Sequence, residues 1–194
     1  EDYKPGEIVV PNQLFDNTKN RANSFFDDHL VAHVGVADPF CPDLSTRLAD
    51  SVGQVAEIVH RSGAYITIEG PRFSTRAESN TFRAWGMSII GMTTSPEAFL
   101  AREAELCYSV MAHITDYDVW HQTEEPVSAN MVFQIVKQNT RLAQDAIKEL
   151  LVRLDGDRRC ECQHALENSF ATSLKNIPDS EKERLSLLVD RFRS

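Results

Sequence analysis

With 194 residues, 42% of them hydrophobic, the chain is long enough to bury a sizeable core in one domain. Its net charge is −9, from 20 basic against 29 acidic residues, and no Lys/Arg cluster offers the footprint that nucleic-acid phosphates need. No apolar run approaches a membrane span, no charged-then-apolar leader is read, and four cysteines do not make a secreted disulfide scaffold, so a cytoplasmic enzyme is expected.

The first residues, Glu1-Asp-Tyr-Lys-Pro-Gly6, carry no initiator Met and run at once into apolar Ile8-Val-Val10. That reads as the middle of a domain, so a fragment is expected. A strand is predicted from Ile8 to Leu14 after the Pro5-Gly6 turn, then an irregular loop from Asn17 to Asp28. His29 to Ala37 reads as a second strand, broken by Asp38-Pro-Phe-Cys-Pro42, with His33 as a satisfied core histidine. A helix capped near Asp43 or Ser45 carries Leu44, Leu48, Val52, Val55 and Val59 on one face and ends at Ser62-Gly63. Ala64 to Ile68 reads as a strand, Thr75 to Trp85 as a helix closed by Gly86, and Met87 to Thr94 as the next strand. Pro96 to Cys107 is predicted helical, with the proline in its first turn, and Tyr108 to Thr115 extended. A polar loop, Trp120 to Pro126, leads into a long helix from a Ser128 cap, with Val132, Ile135, Val136, Leu142, Ala146, Leu150 and Leu151 as its apolar stripe. Asp155-Gly156-Asp157 ends it. The remaining tail is charged and holds one more helix, Ser180 to Arg193.

Between Ala64 and Asp118 the rhythm is that of a βαβαβ unit with a parallel sheet. Each strand ends in a cluster of polar residues, and ligands of open α/β sheets sit outside the carboxyl ends of strands. One composite site is therefore expected there.

Asp116 and Asp118, two apart, share one face if the strand persists. Such a pair repels, so one carboxyl is expected to hold its proton and donate to a ring nitrogen while its neighbour accepts from an amine. The competing reading is a solvated acidic turn. Phe73, after the Gly70-Pro71 turn, either covers a planar substrate or belongs to the core. Ser74 and Thr75 are candidates for capping the next helix. Met92 is core filler or pocket lining, and Thr93 and Thr94 sit at a strand-to-helix junction suited to an anion. Glu69 is a ligand for sugar hydroxyls or a partner of Arg72 or Arg76. Cys160, Cys162 and His164 resemble a metal site in miniature but are too few for structural zinc; a redox couple or two unlinked thiols are expected. Cys41 and Cys107 read as structural. No Ser/His/Asp set, third metal ligand beside the aspartates or glycine-rich phosphate loop is legible.

In combination, Glu69-Gly-Pro-Arg-Phe-Ser-Thr-Arg-Ala-Glu78, Met92-Thr-Thr94 with Pro96-Glu97, and Thr115-Asp-Tyr-Asp118 with Trp120 resemble the S-methyl-5′-thioadenosine phosphorylases of the trimeric purine nucleoside phosphorylase class. Ala37-Asp-Pro-Phe-Cys-Pro42 and the Cys160-Glu-Cys162 tail are similar too. The resemblance implies a three-layer α/β/α nucleoside phosphorylase fold around a central mixed sheet. Residues 1–156 become the C-terminal part of one phosphorylase domain and 157–194 its tail, the first strands lying upstream. It implies phosphorolysis of methylthioadenosine to adenine and 5-methylthioribose-1-phosphate, with phosphate as co-substrate, no cofactor and no metal.

By the same resemblance, Asp116 is the N7 proton donor and Asp118 accepts from the 6-amino group. Phe73 packs on the base with Ser74 beside it, Met92 meets the ribose hydroxyls, and Thr93 binds phosphate. Val132 and Phe133 match positions lining the 5′ pocket, which a neighbouring subunit of a homotrimer or hexamer completes. Relatives acting on 6-oxopurines carry Asn where Asp116 stands and Glu where Ser74 stands, so a 6-aminopurine is expected. Most of the family's phosphate cradle lies upstream of Glu1, and the chain alone is expected to be nearly inactive. Phosphorolysis of another purine nucleoside (adenosine or methylthioinosine) and a non-catalytic remnant are the alternatives.

Overall fold

Pro11 decides how the strands divide. A computed structural model describes residues 2–26, 29–121 and 129–193. The strand expected over Ile8 to Leu14 is two, β1 (Ile8–Val9) and β2 (Gln13–Asn17), because Pro11 between them has no amide hydrogen for a ladder. β1 pairs in parallel with β3 (Val59–His60) and antiparallel with β6 (Ala112–His113). β2 pairs in parallel with β4 (Ala64–Ile68), which pairs in parallel with β5 (Ile89–Gly91). The architecture is mixed α/β as expected, with the described strands forming two three-stranded sheets. The parallel rhythm holds from β4 to β5. β6 then departs from it, running antiparallel beside β1 in the other sheet.

Successive residues of a strand face opposite ways, and β1 uses both. Ile8 joins Val10, Leu48, Val52 and Ala146 under the helices, while Val9 joins Tyr65 and Ile89 on the other face. Helix α1 (Pro42–Val52) begins at Cys41, whose Sγ accepts from the Leu44 amide at 3.4 Å. It stops at Val52, ten residues before the expected end, and Gly53 returns its amide to Ala49. Val55 and Val59 imitated a continuing helical stripe because both still pack on the same cluster.

Helix α2 (Arg76–Ala84) follows the sequence closely. Thr75 accepts from the Glu78 amide at 3.2 Å, Glu78 accepts from the Thr75 amide at 2.7 Å, and Gly86 leaves at φ +80. Arg72 grips the same carboxylate through two bonds of 2.8 and 2.7 Å. These contacts, Arg72 first and the Thr75 amide second, pull the Glu78 pKa from 4.5 to about 2. A depressed carboxyl stabilises the fold above its unfolded value and stops doing so as pH falls through its folded one. The melting-temperature difference between the protein and Glu78→Gln is therefore expected to be constant above pH 4.5 and to vanish on acidification toward about 2. A difference that persists at the acid end counts against this account.

Helix α3 (Thr94–Glu103) is broken at Ser95 (φ −98, ψ 135) because a residue before proline is pushed out of the helical region. Glu105, at φ 55, stops it short of the expected Cys107. Helix α4 (Ala129–Arg153) turns Leu142, Ala146 and Leu150 onto α1's cluster and leaves Val136 and Leu151 exposed. Its expected cap, Ser128, and most of the loop before it lie outside the described residues.

The strand expected over His29 to Ala37 is not formed. A single bridge joins Ala32 to Phe170, the His33 amide donates to Ser169, and the His33 side chain is exposed rather than buried. The segment lies against the tail instead of a sheet, so its apolar alternation is spent on a local cluster of Phe26, Leu30, Leu166, Ile177, Leu185 and Val189. The tail helix is likewise broken into α5 (Asp179–Arg184), α6 (Ser186–Val189) and a 3₁₀ turn over Asp190–Phe192. Among the described residues no helix is long and apolar enough to cross a membrane.

Candidate active site

The ends of β4 and β5 and the segment leaving β6 meet around a cavity of about 370 Å³. Ile66 and Ile68 of β4 and Ile89 to Gly91 of β5 give it an apolar wall. Phe73, Ser74, Met92, Asp116 and Asp118, all singled out from the sequence, line it together.

The turn that carries Phe73 is seated by a close approach. Gly70 has φ +68, and a Cβ there would lie 2.7 Å from Met92 Sδ. Only glycine lets Met92 tuck beneath the turn. Phe73 is 44% exposed at the site. Thr75 takes the capping role, which leaves Ser74 free of it. The Ser74 Oγ is buried and has no hydrogen-bond partner among the described residues.

The aspartates are placed differently from the expectation. β6 ends at His113, so strand alternation does not align them. Asp118 sits in the left-handed region at φ 59, and its amide donates to Asp116 Oδ1 at 2.8 Å. Thr115 donates to the other oxygen at 2.6 Å. A local turn of the kind short polar side chains favour holds the Asp116 carboxyl in place.

Glu69 belongs to the frame. It accepts from the Lys19 and Asn20 amides and faces the Arg21 guanidinium at 3.4 Å, contacts that hold its carboxyl below the usual range. Neither Arg72 nor Arg76 is its partner. Arg21 also donates to the Ile68 and Glu69 carbonyls, so the pair pins the loop after β2 to the end of β4.

Two cavity residues, Arg83 and His113, escaped the sequence reading of chemistry. Arg83 of α2 lies 3.7 Å over the Trp120 ring, a cation–π contact at the cavity wall. Nothing distinguishes Arg83 in sequence from an ordinary solvated helix position, although Trp120 stood in a quoted motif. His113 presents a buried Nδ1 without a partner among the described residues, and burial pushes its pKa down, which favours the neutral ring. Thr93, next to Met92, is exposed at the start of α3 and its hydroxyl makes no capping bond. Phe133 is 70% exposed and does not line the cavity. The Val132 side chain lies outside the described residues.

An apolar slot with a free hydroxyl, a neutral imidazole and two carboxylates suits a flat heterocycle bearing ring nitrogens and an amine. Among the described residues the one grouping of metal-type ligands is formed by four cysteines that do not line this cavity.

A phosphorylase-superfamily profile matches residues 1–154. S-methyl-5′-thioadenosine phosphorylase of Geobacter sulfurreducens is 47% identical over 193 residues, covering 99% of this chain and 68% of the relative. That of Hyperthermus butylicus is 49% identical over 174 residues, covering 88% and 63%. The crystal structure of a methylthioadenosine phosphorylase from an antarctic soil metagenomic library superposes with a TM-score of 0.89 at 39% identity, covering 95% of this chain and 66% of that one. A methylthioadenosine phosphorylase from Schistosoma mansoni in complex with adenine gives 0.79 at 31% identity, covering 92% and 68%. The chain thus spans about two thirds of the length of the relatives it matches.

Proposed function

The chain belongs to the phosphorylase superfamily, and on that premise we propose that its cavity is the purine and ribose side of an S-methyl-5′-thioadenosine phosphorylase. In this reaction a phosphate oxygen bonds to the anomeric carbon as the carbon–nitrogen bond to the base breaks. The products are adenine and 5-methylthioribose-1-phosphate. Electrons shift onto the leaving purine, which must be protonated or hydrogen-bonded at N7. Asp116 is the proton donor, and Asp118 accepts from the 6-amino group. Phe73 covers the base, Ser74 donates or accepts at its edge, and Met92 lies against the ribose.

The observation that carries this reading is the buried Ser74 hydroxyl without a partner, in one cavity with an exposed aromatic ring and two aspartates. A buried hydroxyl left unmatched costs free energy, and a ligand in the cavity removes that cost. Thr93 is the phosphate contact on this chain. About a third of the length of such relatives has no counterpart in this chain. In the working oligomer, a homotrimer or a hexamer of cytoplasmic subunits, Val132 and Phe133 approach the 5′ substituent.

Phosphate-dependent release of base from methylthioadenosine and from methylthioinosine tests the reading. Release from the chain alone is expected to be slow, to require phosphate and to be much poorer with the 6-oxo substrate. Ser74→Ala is expected to raise KM by roughly 3- to 10-fold, the worth of one hydrogen bond, while unliganded stability rises rather than falls. Equal use of both nucleosides overturns the assignment of the aspartates. Binding of adenine without release leaves a nucleoside-binding protein.

A further inference from the structure

The sequence places Cys160 and Cys162 close together, and the fold brings two more thiols to them from distant elements. Cys41 stands at the N-cap of α1, Cys107 follows α3, and the tail pair lies at the 3₁₀ turn over Glu161–His164. All four sulfurs lie within 4.8 Å of one another. This corrects the expectation that too few ligands were present for zinc: the missing pair was 53 residues and more away in sequence. His164 is not among the ligands, since its Nδ1 pairs with Glu167 at 2.6 Å.

The Cys107–Cys160 sulfur separation is 3.5 Å, and all four cysteines are free. A disulfide needs ~2.05 Å. A tetrahedral tetrathiolate with zinc–sulfur bonds of ~2.3 Å has edges of ~3.8 Å, close to the separation found. Donors already point at the sulfurs. The Leu44 amide reaches Cys41 at 3.4 Å and the Arg102 guanidinium reaches Cys162 at 3.6 Å. Such contacts offset the negative charge that thiolates carry around an ion.

We propose that Cys41, Cys107, Cys160 and Cys162 bind one zinc ion as a structural tetrathiolate that ties the tail to the body of the fold. Each thiol gives its proton to solvent and forms a sulfur–zinc bond; nothing is oxidised or reduced. A closed set of four protein ligands leaves no position for substrate, so the role is structural.

The test is metal analysis of the full chain, expressed with zinc and purified without chelators under reducing conditions. About one zinc per chain is expected, with four thiols released to DTNB only on unfolding. Cys160→Ser/Cys162→Ser is expected to lose the metal. Because that variant can fail to fold, the unaltered chain is also loaded with cobalt(II). Thiolate-to-cobalt charge transfer with the visible bands of a tetrahedral site is expected. A metal-free protein with four freely reactive thiols, a mass lowered by disulfide formation, iron in place of zinc, or cobalt without thiolate bands overturns the proposal.

Discussion

Asp116→Asn is expected to lower kcat for adenine release roughly 10²- to 10⁴-fold, the usual worth of a positioned general acid, with KM and melting temperature nearly unchanged. The substitution is nearly isosteric. The amide keeps an oxygen to accept from the Asp118 amide, so the turn that now holds the carboxyl survives. What disappears is a proton that can be passed to the departing purine. An amide still donates a hydrogen bond to N7, which is why binding persists. The same amide can donate to a 6-oxo group, so the ratio of 6-oxo to 6-amino turnover is expected to rise. Steady-state kinetics on both nucleosides, alongside thermal melts, reads all of these quantities. Unaltered kcat removes Asp116 from the mechanism.

Ile66→Ala is expected to act through stability, costing roughly 2–5 kcal/mol. Ile66 is fully buried at the centre of β4, in register with Phe15 of β2 and Ile90 of β5, and it also lines the cavity. Truncation removes buried methyl groups and leaves a void that flanking strands cannot close, because both are pinned by the ladder. The melting temperature should fall on the order of 5–15 °C for a chain of this size. Ile66→Val should cost only ~1 kcal/mol, which makes the pair a graded measure of packing at the site floor. An Ile66→Ala protein as stable as the parent would show that β4 is not the rigid floor described.

These two residues mark what the sequence could and could not disclose. β4 and α2 were legible because their signals are local: an unbroken apolar run, then Thr75 and Glu78 at capping-box spacing, then Gly86. The five cavity residues Phe73, Ser74, Met92, Asp116 and Asp118 were legible because each sits where a strand gives way to a loop. The early end of α1 was not, since Val55 and Val59 continue its apolar spacing while packing from a loop and a strand. His29 to Ala37 alternated like a strand but its partner is the tail, which periodicity cannot reveal. Glu69 took Arg21, 48 residues away, over the two arginines beside it. The four-cysteine cluster is the extreme case, since tertiary contacts bring Cys41 and Cys107 to the local pair Cys160 and Cys162.

The central claim, that this cavity seats a 6-aminopurine against Asp116, is tested most directly by a crystal structure of the protein with adenine. The account predicts the ring against Phe73, N7 about 2.6–3.2 Å from an Asp116 oxygen, and the exocyclic amine facing Asp118. Adenine bound elsewhere, or turned so that Asp116 meets no ring nitrogen, would contradict it.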